Sequence, residues 1–210
     1  MTTENIVLGA DLRGGYPEEQ PRHISQATLA MLLFLGSEAM LFASFFTAYF
    51  MVRFNVAGNQ WPPIDRLTGK QFVLPVAVTA VNTLFLVSSS FTLWWGEYRL
   101  QHGGSRKSLE RGLMVTILLG LTFLVIQLNE YWHLGFSPKS QAFGSTFYAL
   151  TGLHGLHVIV GLTLLTICLV RSRRRHEFTA ERATVLWATS LYWHFVDIVW
   201  VILFFLVYVL

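Results

Sequence analysis

Residues 147–165 read FYALTGLHGLHVIVGLTLL, nineteen positions with two histidines and no formal charge. A run this long and this apolar is a membrane-spanning helix, because about 20 such residues cross a hydrocarbon core. Four further stretches read the same way. The five spans are placed at about 26–52, 72–95, 109–131, 146–170 and 183–210. Pro62, Pro63, Gly103, Gly104, Gly135 and Pro138 punctuate the segments between them. Pro75 is placed in the first turn of the second span, where its missing N–H does no harm. The reading is all-α: a polytopic membrane helical bundle of five transmembrane helices over 25–210, preceded by a polar segment, 1–24.

Composition supports a membrane class. The 210 residues are 53% hydrophobic and only 13% charged, where a globular domain carries roughly 25%. Mean hydropathy is +0.50. The net charge of +3 lies in loops and does not form a nucleic-acid surface. Cys168 is the single cysteine, so no internal disulfide and no paired-thiolate metal site can form, and it reads as a small apolar helix residue. Residues 1–24 lack the apolar core and cleavage site of a secretory signal, so the first span is expected to act as an uncleaved start signal.

Charge sets the orientation. Arg13, Arg22, Arg99, Arg106, Lys107, Arg111, Arg171, Arg173, Arg174, Arg175 and Arg182 share one side. Arg53, Arg66, Lys70 and Lys139 share the other. That bias puts the N-terminus in the cytoplasm. The Arg171–Arg175 run reads as a topology signal compatible with anionic lipid binding. Trp61, Trp132, Tyr131 and Tyr208 read as interfacial anchors.

Function is sought in the polar residues the spans carry. An ionised group at the bilayer centre costs about 2.5–3.5 kcal/mol even on the mildest scale, so such residues face protein or a wet cavity. Glu38 lies in MLLFLGSEAMLFASFF (31–46), among Phe34, Leu41, Phe42 and Phe45. It is either a polar packing element or a proton-linked, regulatory acid. Gln127, Glu130 and Tyr131 share one face of the third span and read as a hydrogen-bond network. His154 and His157 share a face with Thr151; Gly152, Gly155 and Gly161 are read as permitting close helix approach. His194 and Asp197 in LYWHFVDIVWVILFF (191–205) can pair or share a partner. Haem ligation by neighbours on one helix is disfavoured, since axial ligands lie on opposite faces of the ring. A bis-histidine site would need His154 with His194. Ser37 and Ser88–Ser90 lie in no nucleophile motif.

Five of these elements, taken in order, resemble subunit III of the haem–copper oxidases, most closely the cytochrome c oxidase branch. They are GSEAMLF with Glu38, VNTLFLVSSS with Asn82, QLNEYW with Glu130, FYALTGLHGLHVIVG with His154 and His157, and YWHFVDIVWVILFF with His194 and Asp197. Together they cover nearly all of 25–210. The resemblance implies a subunit without a redox centre beside catalytic subunit I, in contact with subunit II and a small subunit IV, with bound phospholipid. It implies no metal in this chain, haem and copper being held by partner subunits. Longer family members have seven helices, in groups of two and five separated by a lipid-filled cleft. The spans counted here match the group of five, which leaves open both the cleft lipids and whether a neighbouring subunit supplies the missing pair. Glu38 matches the family's membrane-embedded glutamate, whose subunit supports proton uptake and protects the active site during turnover. Asn82, Gln127, Glu130, His154, His157, His194 and Asp197 are expected to be structural or lipid-linked. The expected location is the inner membrane of a prokaryote. The alternatives are an accessory subunit of a quinol oxidase or nitric oxide reductase, a haem-binding membrane cytochrome, and a proton-coupled transporter. The last is disfavoured by the lack of an inverted repeat.

Overall fold

The computed structural model describes residues 26–55, 63–64, 71–103, 105–174 and 180–210; the side chains at 27, 174 and 180–183 fall outside the description. The N-terminal segment 1–24, Trp61, Pro62, Arg66, Lys70, Gly104 and Arg175 therefore lie outside the described residues. Five helices run through the rest: α1 (Gln26–Asn55), α2 (Val76–Gln101), α3 (Arg106–His133), α4 (Gln141–Arg174) and α5 (Ala180–Phe204). A π-helical turn, Phe205–Val209, extends α5. All five are long and apolar enough to cross a membrane. Among the described residues the only β pairing is an isolated bridge between Ile64 and Gln71.

Several boundaries move. Pro75 precedes α2 as its N-cap instead of lying in its first turn. Its carbonyl accepts from the Thr79 N–H at 3.1 Å. At the other end α2 runs six residues beyond Trp95, and Gly96 and Gly112 bring the α2 and α3 backbones into contact there. A Cβ on Gly112 would stand 2.9 Å from the Thr92 carbonyl oxygen and 3.0 Å from the Gly96 Cα. Gly103 (φ +76°) and Gly135 (φ +70°) turn the chain after α2 and α3 in the left-handed region that favours glycine. Ser105 caps α3 by accepting from the Lys107 N–H.

α2 and α3 form the tightest pair, α5 packs on α2 and α4, and α1 lies outermost against α4 and α5. Exposure follows that order. Met40 (77%), Leu33 (67%) and Met51 (60%) on α1 are open to the surroundings, whereas Trp193 and Trp200 on α5 are fully buried. Trp193 joins the layers. Its ring lies between Gly120 of α3 and Gly161 of α4, where a Cβ would stand 2.8 and 2.7 Å from ring atoms. Its indole N–H donates to Ser89 Oγ of α2 at 3.0 Å. The expectation for the α4 glycines is thus corrected in part. Gly161 admits a neighbour, while a Cβ on Gly152 or Gly155 would meet nothing within 4 Å. The 3.6-residue period turns Gly152 and Gly155 away from the face that meets Trp193.

Candidate functional site

Each helix-borne polar residue needs a partner, since lipid offers none. Glu38 finds one on α4. Its Oε2 lies 2.8 Å from Nε2 of His157. The other ring nitrogen, Nδ1, lies 2.8 Å from the Leu153 carbonyl and must donate to it. One proton then lies between Nε2 and Oε2, giving either imidazolium–carboxylate or imidazole–carboxylic acid. Both forms are neutral overall, which lowers the cost of a carboxyl at this depth. The Phe42 ring packs on His157 at 4.9 Å. The Tyr192 hydroxyl donates to the His157 carbonyl at 3.3 Å. The pair is not sealed: the His157 and Glu38 side chains are 10% and 17% exposed.

His154, one turn away, behaves differently. It is buried, and neither ring nitrogen has a hydrogen-bond partner. Aromatic packing holds it instead, with Trp200 at 4.7 Å and Phe123 edge-on at 5.9 Å. Of the two histidines, His157 is therefore hydrogen-bonded and His154 is not. Trp200 donates its N–H to Thr83 at 2.9 Å. Asn82 donates an amide N–H to the Phe123 carbonyl at 3.1 Å, while its Oδ1 has no partner.

At the far end of α3, Glu130 is buried, at 5% exposure. Thr79 of α2 donates to one carboxyl oxygen at 3.0 Å, and Tyr208 of the π turn donates to the other at 2.9 Å. Tyr208 is therefore a buried strut and not an interfacial anchor. Trp132, at 85% exposure, does suit that role. Tyr131 is half-buried, with its ring 5.0 Å from Tyr148. Gln127 is buried beside the Tyr131 and Tyr208 hydroxyls but meets neither at hydrogen-bond geometry.

His194 and Asp197 share a partner. Ser90 of α2 donates to Oδ2 of Asp197, and its oxygen lies 2.9 Å from Nδ1 of His194. Ser89 and Ser90 thus act in helix packing. Sequence reading missed Glu97, which accepts from Ser190 at 2.9 Å and is otherwise enclosed. A signal existed: Glu97 interrupts the apolar run of α2 four residues before Gln101. Sequence reading also missed the hydroxyl ladder in which Thr92 meets Thr116 at 2.8 Å and Thr116 reaches the Ser89 carbonyl at 3.2 Å. Cys168 is buried against Thr189. Its packing suits the small apolar role read from sequence.

Each polar cluster thus joins two or more helices, and α5 takes part in most of them. His154 and His194 are not brought together, the first lying at the bundle centre and the second at the α2–α5 surface. Among the described residues, no group of three or more His, Cys, Asp or Glu side chains stands close enough to hold a metal ion. The chemistry available here is hydrogen bonding between helices and, at Glu38–His157, exchange of a proton.

Comparison with known proteins fits this arrangement. Residues 13–210 match the family described as cytochrome c oxidase subunit III. Cytochrome c oxidase subunit 3 of Rattus norvegicus is 40% identical over 181 residues, covering 85% of this chain and 67% of the rat protein. The subunit 3 of Coturnix japonica is 41% identical over the same coverage. That of Locusta migratoria is 37% identical, over 85% of this chain and 66% of the insect protein. The chain belongs to the cytochrome c oxidase subunit III family, and so to the membrane-embedded part of a haem–copper respiratory oxidase.

Proposed function

We propose that this chain carries no redox centre of its own and serves the oxidase by bracing subunit I, ordering phospholipid and supporting proton uptake. Subunit II and a small subunit IV complete the proposed assembly, set in the inner membrane of a prokaryote. Haem and copper belong to the partner subunits.

The observation that carries the reading is the Glu38–His157 pair. It joins the outermost helix to the bundle, it is partly open, and its two atoms stand 2.8 Å apart, a distance that calls for a shared proton. It can pass a proton between its two atoms without changing its charge, and it gains or loses charge only by exchange with the outside. A group of this kind beside a proton entrance can restore protons to it. The surroundings of His154 support a structural role for that residue: the Trp200 and Phe123 rings pack against it.

The test is Glu38→Gln beside Glu38→Ala in the assembled oxidase. Gln keeps a hydrogen bond to His157 and loses the exchangeable proton; Ala loses both. Both variants are expected to shorten the catalytic lifetime and slow proton uptake. Unchanged turnover, pumping and lifetime in both would reduce Glu38 to packing. A stoichiometric Soret band from the isolated chain would overturn the assignment of haem to the partners.

A further inference from the structure

Between α2 and α5 the outer surface is hollowed into a groove of about 620 Å³. Its walls are apolar: Val87, Phe91 and Trp94 on α2, and Ile198, Val201 and Ile202 on α5. Its floor is not. Ser90, His194 and Asp197 also line it, in the hydrogen-bonded chain His194–Ser90–Asp197. Whichever way the hydrogens run, Ser90 consumes Nδ1 of His194. Nε2 has no partner among the described residues and is not enclosed. At the other end, Oδ1 of Asp197 is enclosed and also lacks a partner. The chain is thus incomplete at both ends.

Depth decides what can complete it. In the span Thr184–Val209, His194 follows the first residue by ten and precedes the last by fifteen. At 1.5 Å per residue those are about 15 and 22 Å, so the imidazole lies near the middle of a hydrocarbon core of roughly 30 Å. Lipid headgroups and ester carbonyls do not reach that level, and acyl chains carry no donor or acceptor. A polar group at that depth is supplied by protein or by water in a polar cavity, and apolar walls such as these give a water too few partners.

We infer that this groove is a docking site for a transmembrane helix of another oxidase subunit, which places a hydroxyl or amide side chain against Nε2 of His194. A hydroxyl or carboxamide serves either tautomer, because it can donate or accept. The apolar walls take the flanking side chains of that helix. The inference rests on the chain's working within the assembled oxidase, and it names the face and the chemistry of one contact.

The test uses the intact oxidase, purified through a tag on this chain, with a photoreactive residue at Val201. The expected result is a cross-link to a membrane helix of a partner subunit, mapped within one turn of a Ser, Thr, Tyr, Asn or Gln. Partners that copurify while Val201 labels only lipid, or a helix without such a residue, would overturn the docking site and leave the assembly intact. A tag that recovers this chain alone would overturn the assembly reading, and the docking site with it. As a second measurement, His194→Leu should reduce retention of this chain after detergent challenge by about three- to twentyfold, the range of one interhelical hydrogen bond in a membrane. His194→Asn should restore it. Equal retention in all three would sink the inference. If His194→Leu fails to accumulate, the cross-link in the unaltered His194 chain decides.

Discussion

A methyl group on Gly112 should separate α2 from α3, whereas a methyl on Gly152 should be tolerated. The first Cβ would stand 2.9 Å from the Thr92 carbonyl oxygen and 3.0 Å from the Gly96 Cα. Carbon contacts settle near 3.5–4.0 Å, so the helices must part by roughly half an ångström. Both obstructing atoms are backbone, so no side chain can rotate away. The same interface holds the Asn82 amide to the Phe123 carbonyl at 3.1 Å and Thr92 to Thr116 at 2.8 Å. A shift of that size stretches the first beyond hydrogen-bond range and weakens the second. Overpacking of this kind costs about 1–3 kcal/mol, and loss of an interhelical bond adds about 0.6 kcal/mol, at most about 1.7. Gly112→Ala is therefore expected to destabilise the chain by about 2–4 kcal/mol. At Gly152 a Cβ meets nothing within 4 Å, so Gly152→Ala should fall within about 0.5 kcal/mol of the parent, as surface substitutions do. Reversible unfolding in mixed micelles, read by tryptophan fluorescence, measures both. Equal stability of the two variants, or the larger loss at Gly152, would refute the steric reasoning.

The other expectations concern single bonds. Tyr208→Phe removes the donor to Oε1 of Glu130 and leaves a buried carboxyl oxygen unpaired. It should cost about 1–3 kcal/mol in the same unfolding assay, and Glu130→Gln made in that background should recover part of it. Trp193→Phe keeps an aromatic ring between Gly120 and Gly161 but loses the bond to Ser89. About 1–3 kcal/mol is expected, with retained helicity by circular dichroism. Asn82→Leu deletes one interhelical bond and should cost about 0.6 kcal/mol, or up to about 1.7; a null result would show that the freed Phe123 carbonyl finds another donor.

What could be read ahead of the structure follows from lipid itself. A span must be apolar over about 20 residues, so length and hydropathy alone place all five helices. Motif order then identified the family, since GSEAMLF, QLNEYW and FYALTGLHGLHVIVG stand in sequence as runs. Boundaries were less legible. Beyond Trp95, α2 packs on α3 through Gly96 meeting Gly112, a contact between residues sixteen positions apart that no local pattern records. The pairing of polar groups was not legible at all. Helical spacing put His154 and His157 on one broad face, but it could not say that one turns to Glu38 across α1 while the other packs between Phe123 and Trp200. Nor could it tell a glycine that admits Trp193 from one facing outward. By itself the sequence determined that there are helices, how many cross the membrane, and which residues are out of place in lipid. Only the tertiary structure decided which of those residues satisfy one another, because hydrogen bonds and close contacts between helices depend on axial register and rotation, and those emerge only when the five helices are packed together.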